Sequence, residues 1–156
     1  MHPSDVRHLW DQLVLLRPPR IAMSLVVIAA ALHLLFPFAI LPASSIGGLV
    51  LGSGGFLLMM RAWWLFREAR TPICPTGHAS VLLAGDVYGF TRNPMYLGMV
   101  MIMAGLALSF GTAPFYGAAA LLFAILNFVF CPYEEKRLRA AFPRYAAYAA
   151  RVRRWI

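Results

Sequence analysis

The chain has 156 residues, of which 61% are hydrophobic and 13% charged, and it carries a formal net charge of +8. That charged share is about half the ~25% usual in soluble proteins, mean hydropathy is +0.70, and a small soluble domain leaves too much surface in water to hide so apolar a chain. A soluble enzyme, a secreted disulfide scaffold and a disordered chain are all poor readings, and an all-α integral membrane protein is the expected class.

In chain order, Val6, Leu9, Trp10, Leu13 and Val14 recur at helical spacing behind Ser4, which predicts an interfacial helix within residues 1–19. A first span is expected over about 21–36, between Pro18-Pro19 and Pro37. A second covers 46–66, with Ser44 or Ser45 as N-cap. The third begins at Pro94 and fades near Phe110-Gly111; the fourth runs from 114 or 115 to 131 and is expected to stop at Pro132. A hydrocarbon core of ~30 Å takes roughly 17–25 residues per helix, so the last two spans are short and need local thinning or flanking anchors. Residues 67–93 form the intervening cytoplasmic loop, and 132–156 form C-terminal helices. In that last stretch Leu138, Phe142, Tyr145, Tyr148, Val152 and Trp155 step by three or four with arginines between them. Such helices are expected to lie flat, with the aromatic side among the headgroups. The whole chain reads as one membrane domain.

The charges follow this layout. Arg7, Arg17 and Arg20 precede span one; Arg61 lies one turn from the cytoplasmic end of span two, and Arg67, Arg70 and Arg92 fall between spans two and three; Lys136, Arg137, Arg139, Arg144, Arg151, Arg153 and Arg154 follow span four. The other two connections, FPFAILPASS and SFGTAPFY, carry no charge. By the positive-inside rule both termini are cytoplasmic, and the net charge needs no nucleic acid to explain it. The preference for Arg over Lys, with abundant Ala, points to a GC-rich bacterial genome and hence a bacterial inner membrane.

Several functions lack their residues. The acidic side chains Asp5, Asp11, Glu68, Asp86, Glu134 and Glu135 all lie outside the middle of a span, which argues against a proton-coupled exporter. Cys74 and Cys131 form no CxxC, which argues against a metal ribbon or a disulfide enzyme. His33 is the one titratable group deep in span one, expected to bond a backbone carbonyl or face the interior rather than hold haem. Arg61 lies close enough to its helix end to snorkel.

Chemistry is therefore sought at the cytoplasmic face. In Tyr88-Gly89-Phe90-Thr91-Arg92-Asn93-Pro94-Met95-Tyr96-Leu97-Gly98, Asn93 suits an N-cap and Pro94 the first helical position. With Arg92 beside it, that helix start is either an ordinary capped end with a snorkelling arginine or an anion site for a carboxylate or phosphate. Gly98, one turn further in, allows a ligand or another helix to come close. After span four, Glu134-Glu135 are either charges favourable to a helix start or carboxylates that hold a polar cofactor across a cleft.

RNPMYLG at 92–98, a final span and then the Glu134-Glu135 pair resemble the membrane-embedded methyltransferases typified by isoprenylcysteine carboxyl methyltransferase and phosphatidylethanolamine N-methyltransferase. The tail, with Tyr145, Tyr148, Val152, Arg154 and Trp155, is similar to the ending of bacterial members, and the resemblance covers roughly 46–156. It implies S-adenosylmethionine as cofactor, with S-adenosylhomocysteine as product, and a lipophilic acceptor that enters from the surrounding membrane lipids. Implied cofactor residues are Tyr88, Arg92, Asn93, Pro94, Tyr96, Gly98, Glu134, Glu135, Tyr145 and Tyr148, with Gly52 and Gly54 resembling a GxG of the phosphatidylethanolamine enzyme. Arg92, Asp86 and His78 are the candidate catalytic residues, the last two as bases should the acceptor be an amine or hydroxyl. A usual Gly-Pro is here Asp86-Val87, a usual Arg is Gly89, and the Phe142-Pro143-Arg144-Tyr145 stretch is one residue short of the family's form. Those departures motivate the alternative of a non-catalytic four-helix subunit or lipid-binding module that keeps the framework.

Overall fold

The computed structural model describes residues 17–70 and 81–156. The expected helix around residues 6–14, and His78, lie outside them. Helix α1 is Pro18–Leu35, so the two prolines open it rather than precede it, as suits a residue with a fixed φ and no N–H to place. Helix α2 is Ser45–Glu68, and Ser44 caps it by accepting from the Gly47 N–H at 3.2 Å. Helix α3, Pro94–Phe110, ends where Gly111 turns left-handed at φ +67°. Helix α4 begins at Ala113.

The expected stop at Pro132 is not found. Helix α4 (Ala113–Ile125) passes into a π segment, Leu126–Phe130, and on into α5, Cys131–Ala141, as one unbroken run. Proline normally breaks a helix because it lacks a donor and its ring strikes the carbonyl four residues back. Here the Cys131 N–H bonds the Leu126 carbonyl, five residues back. The wider turn gives the Pro132 ring room.

Helices α1, α2 and the Ala113–Ala141 run are long and apolar enough to cross a membrane. Helix α3 has 17 residues and rises about 26 Å at 1.5 Å per residue. No strand is found among the described residues; an isolated bridge, Ala39 to Thr112, joins the two uncharged connections. The Ile40 N–H donates to the Gly111 carbonyl and the Ala113 N–H to the Phe38 carbonyl, both at 2.8 Å, closing that end of the bundle.

Helices α2 and α3 run antiparallel with their backbones almost touching. A Cβ on Gly55 would lie 2.6 Å from the Gly98 carbonyl oxygen, and one on Gly105 would lie 2.6 Å from that of Gly48. Small residues are how helices approach in lipid, where apolar side chains gain nothing by leaving the solvent. Met99, Met103 and Ala107 of α3 pack with Phe115, Ala118 and Leu122 of α4 and Ala29 of α1. Outward-facing Leu34, Ile46 and Leu49 stay exposed, as lipid contact allows.

His33 faces inward as expected, but its partner is a side chain. Its Nδ1 lies 3.1 Å from the Thr112 hydroxyl, and its ring lies against Phe110 and Phe115. Helix α6, Tyr145–Arg151, differs from its expected interfacial pose: Tyr145 and Tyr148 are 1% and 4% exposed, turned into the protein rather than outward. The described basic residues gather at the end opposite the Ala39–Thr112 bridge.

Candidate functional site

The start of α3 is fixed by the end of the chain. Pro94 occupies the first turn, as predicted, but Asn93 makes no cap bond to that turn. Its Nδ2 donates instead to the Arg154 carbonyl at 3.2 Å, and its own N–H donates to the Thr91 hydroxyl. Thr91 Oγ1 donates to the same Arg154 carbonyl at 2.9 Å, and the Arg92 N–H to the Arg153 carbonyl at 3.0 Å. The first-turn N–H groups of α3 therefore have no side-chain cap, and a helix start in that condition is a ready anion site.

Arg92 is mostly enclosed. Its Nη1 donates to the Ala149 carbonyl at 3.2 Å and its Nη2 lies 3.2 Å from Glu135 Oε1, while its Nε is buried with no hydrogen-bond partner. Glu135, 8% exposed, also receives Arg154: Nε to Oε1 at 2.8 Å and Nη2 to Oε2 at 3.0 Å. Arg154 is steadied by Asn127 in the π segment, whose Oδ1 also accepts from the Trp155 indole at 2.9 Å.

A cavity of about 400 Å³ opens between these elements. Arg17, Pro18 and Pro19 of the α1 start, Phe66 of α2, Tyr88, Arg92 through Tyr96, Met99, Glu134 and Leu138 line it. The Tyr96 hydroxyl donates to Glu134 Oε1, tying α3 to α5. Tyr88 sits in a short 3-10 turn, Asp86–Gly89, and Phe66 meets its ring edge-on. Its carbonyl accepts from the Tyr148 hydroxyl at 2.7 Å. Burial pushes the Tyr148 phenol up to about 12, so it remains a donor at neutral pH.

The structure thus gives the expected residues different places. Tyr88, Arg92, Asn93, Pro94, Tyr96 and Glu134 share the cavity wall. Glu135 stands behind Arg92, not in the lining. Tyr145 and Tyr148 meet edge-on and brace α6, with the Arg139 guanidinium 5.7 Å from the Tyr145 ring. Gly98 admits α2: a Cβ there would lie 2.5 Å from the Gly55 carbonyl oxygen. Gly52 and Gly54 lie on α2 away from the lining. Asp86 is paired with Arg61, Oδ2 to Nη2 at 2.6 Å, and lies outside the lining. Arg61 thus finds a carboxylate partner, and its hydrogen bonds hold the Asp86 carboxyl below its ordinary range. Phe66, Met99 and Asn127 carry no motif; of these only Asn127, a lone amide in an apolar run, gives a signal that sequence reading could follow, while Leu138 belongs to the periodic C-terminal stretch.

An all-helical membrane protein with a polar pocket at its basic end is the class that this fold and site define. Residues 43–144 match the family model described as phospholipid methyltransferase, well over half of the chain, and the protein belongs to that family. No curated protein and no solved structure is matched. Family membership makes it a membrane methyltransferase.

Proposed function

We propose that the protein transfers a methyl group from S-adenosylmethionine to a lipophilic acceptor at the cytoplasmic face of the membrane. The carrying observation is the cavity at the basic end, where Arg92, whose buried Nε has no partner, the uncapped start of α3 and the Glu134 carboxylate share one wall. Those groups suit the cofactor. At about 400 Å³ the cavity falls within the ~300–1,000 Å³ common to small-molecule pockets, Arg92 and the α3 start answer a carboxylate, and Glu134 answers an ammonium. Tyr88, Tyr96 and Phe66 offer rings toward a sulfonium.

When bound, the cofactor supplies a methyl group made electrophilic by its sulfonium. The chain's own part is to hold and orient. Arg92 and the first turn of α3 fix one end of the ligand, Glu134, steadied by the Tyr96 hydroxyl, fixes another, and Met99, Leu138 and Phe66 exclude water. Orientation of this kind is worth up to ~7–11 kcal/mol of a displacement barrier. In this reading α3 also crosses the membrane, which makes four spans, the basic end is cytoplasmic, and the acceptor reaches the pocket sideways without its tail leaving the hydrocarbon.

Titration calorimetry of the purified protein with S-adenosylhomocysteine tests the reading. Binding at micromolar concentration and labelled lipid product from native membranes are expected. No binding at millimolar concentration overturns it, and binding without methylation of any membrane component assigns the chain to the non-catalytic alternative.

A further inference from the structure

Glu135 carries one negative charge between two guanidinium groups. Arg154 takes both of its oxygens in a fork, at 2.8 and 3.0 Å, whereas Arg92 reaches Oε1 alone, through Nη2 at 3.2 Å. A carboxylate and an arginine prefer the two-bond fork wherever geometry allows it. With Arg154 occupying that fork, the Arg92 Nε–H is left without a partner, although it is buried and its residue lines the cavity. Arg154 does not line the cavity. It stands on the far side of Glu135, held by the Asn127 amide oxygen and carbonyl at 3.4 Å and through its own carbonyl by Thr91 and Asn93.

We infer that Arg154 is a positioning residue for the binding site: by occupying Glu135 it keeps the Arg92 charge uncancelled, and its Nε–H without a protein partner, for an anionic group in the cavity. Without Arg154, Glu135 is free to turn both oxygens onto Arg92 and close a fork with Nε and Nη2. The site would then meet a ligand carboxylate with a neutral pair instead of a cation. The triad as built carries one net positive charge, and burial makes that charge count.

This inference rests on the proposed cofactor reading, and two ligands separate the failure of one from that of the other. S-Adenosylhomocysteine and its decarboxylated analogue are titrated against the wild type, Arg154→Gln, Arg154→Lys, and the double variant Arg154→Gln with Glu135→Gln. Arg154→Gln is expected to weaken S-adenosylhomocysteine about tenfold, the size of one charge-assisted hydrogen bond, and to leave the analogue unchanged. The analogue's retained affinity shows that the pocket is intact. Arg154→Lys keeps the charge next to Glu135 and is expected to lose less. The double variant, which also removes the carboxylate that would cancel Arg92, is expected to recover most of the lost affinity. Equal weakening of both ligands, or no recovery in the double variant, overturns the inference and leaves Arg154 as a fold residue. Should Arg154→Gln not fold, a tenfold loss of both ligands in Arg154→Lys overturns it equally. A wild type that binds neither ligand overturns the cofactor reading, and the inference with it.

Discussion

The Tyr96 hydroxyl, from the first turn of α3, donates a hydrogen bond to the Glu134 carboxylate at the start of α5. The two residues are far apart in sequence and face each other across one wall of the cavity. Tyr96→Phe deletes this bond alone, because the ring keeps its edge contact with Phe130 at 6.3 Å. A carboxylate that loses a donor in an enclosed site is worth about 1–3 kcal/mol. The expected result is a roughly tenfold fall in kcat/KM together with an unfolding temperature lowered by a few degrees, read from steady-state kinetics and thermal denaturation in the same detergent.

Two glycines of apparently similar standing should behave in opposite ways. Gly98→Ala drives a methyl group into the Gly55 carbonyl, 2.5 Å away, and forces α2 and α3 apart. Overpacking of this type costs about 1–3 kcal/mol, and a lower unfolding temperature is expected. At Gly52 a Cβ meets nothing within 4 Å. Gly52→Ala should therefore leave both stability and S-adenosylhomocysteine affinity unchanged; a selective loss of affinity would return Gly52 to the cofactor site.

Asn127→Leu removes the acceptor of the Trp155 indole, which lies 2.9 Å from the amide oxygen. An unpaired donor in that half-buried position costs about 1–3 kcal/mol. The loss should appear first in the tail. Hydrogen exchange of residues 145–156 is expected to quicken while the amides of α3 and α4 stay protected. Uniform exchange across the bundle would contradict a local role.

Asp86→Asn tests whether this carboxylate takes part in chemistry. Arg61 lowers the Asp86 carboxyl in the folded state. Its contribution to stability is thus complete above the ordinary aspartate range and fades as pH falls through the lowered value. The pair is largely exposed, so that contribution is small. The variant should show a slight loss of stability at neutral pH that disappears in acid, and an unchanged pH–rate profile. A lost ionisation in the rate profile would make Asp86 a base.

Much of this was legible locally. Ser44 as a cap, Pro94 as a helix start and Gly111 as a stop each follow from the conformational needs of one residue. The segregation of arginines to one end followed from charge alone. What escaped was tertiary. Nothing near Asn93 shows that its amide leaves the helix start for the Arg154 carbonyl, because that partner belongs to the far end of the chain. Tyr145 and Tyr148 carry the periodicity of an interfacial helix, and the same periodicity serves a helix folded onto its own protein. The stop expected at Pro132 follows from proline taken by itself; the helix runs on through a Cys131 N–H bond to the Leu126 carbonyl that no residue type announces.

That π turn has a consequence for the paired glutamates. Consecutive residues on a helix point about 100° apart, so Glu134 and Glu135, identical in chemistry, differ only in azimuth. The wide turn over Leu126–Phe130 adds one residue to the run before them and so selects which carboxylate looks into the cavity and which is enclosed by arginines. Wound as a plain α-helix, the same residues would each advance by one position. Tyr133 would take the cavity position, and Glu134 would arrive between Arg92 and Arg154 in place of Glu135. The length of one helical segment, rather than the identity of any side chain, thus assigns the two acids their separate tasks.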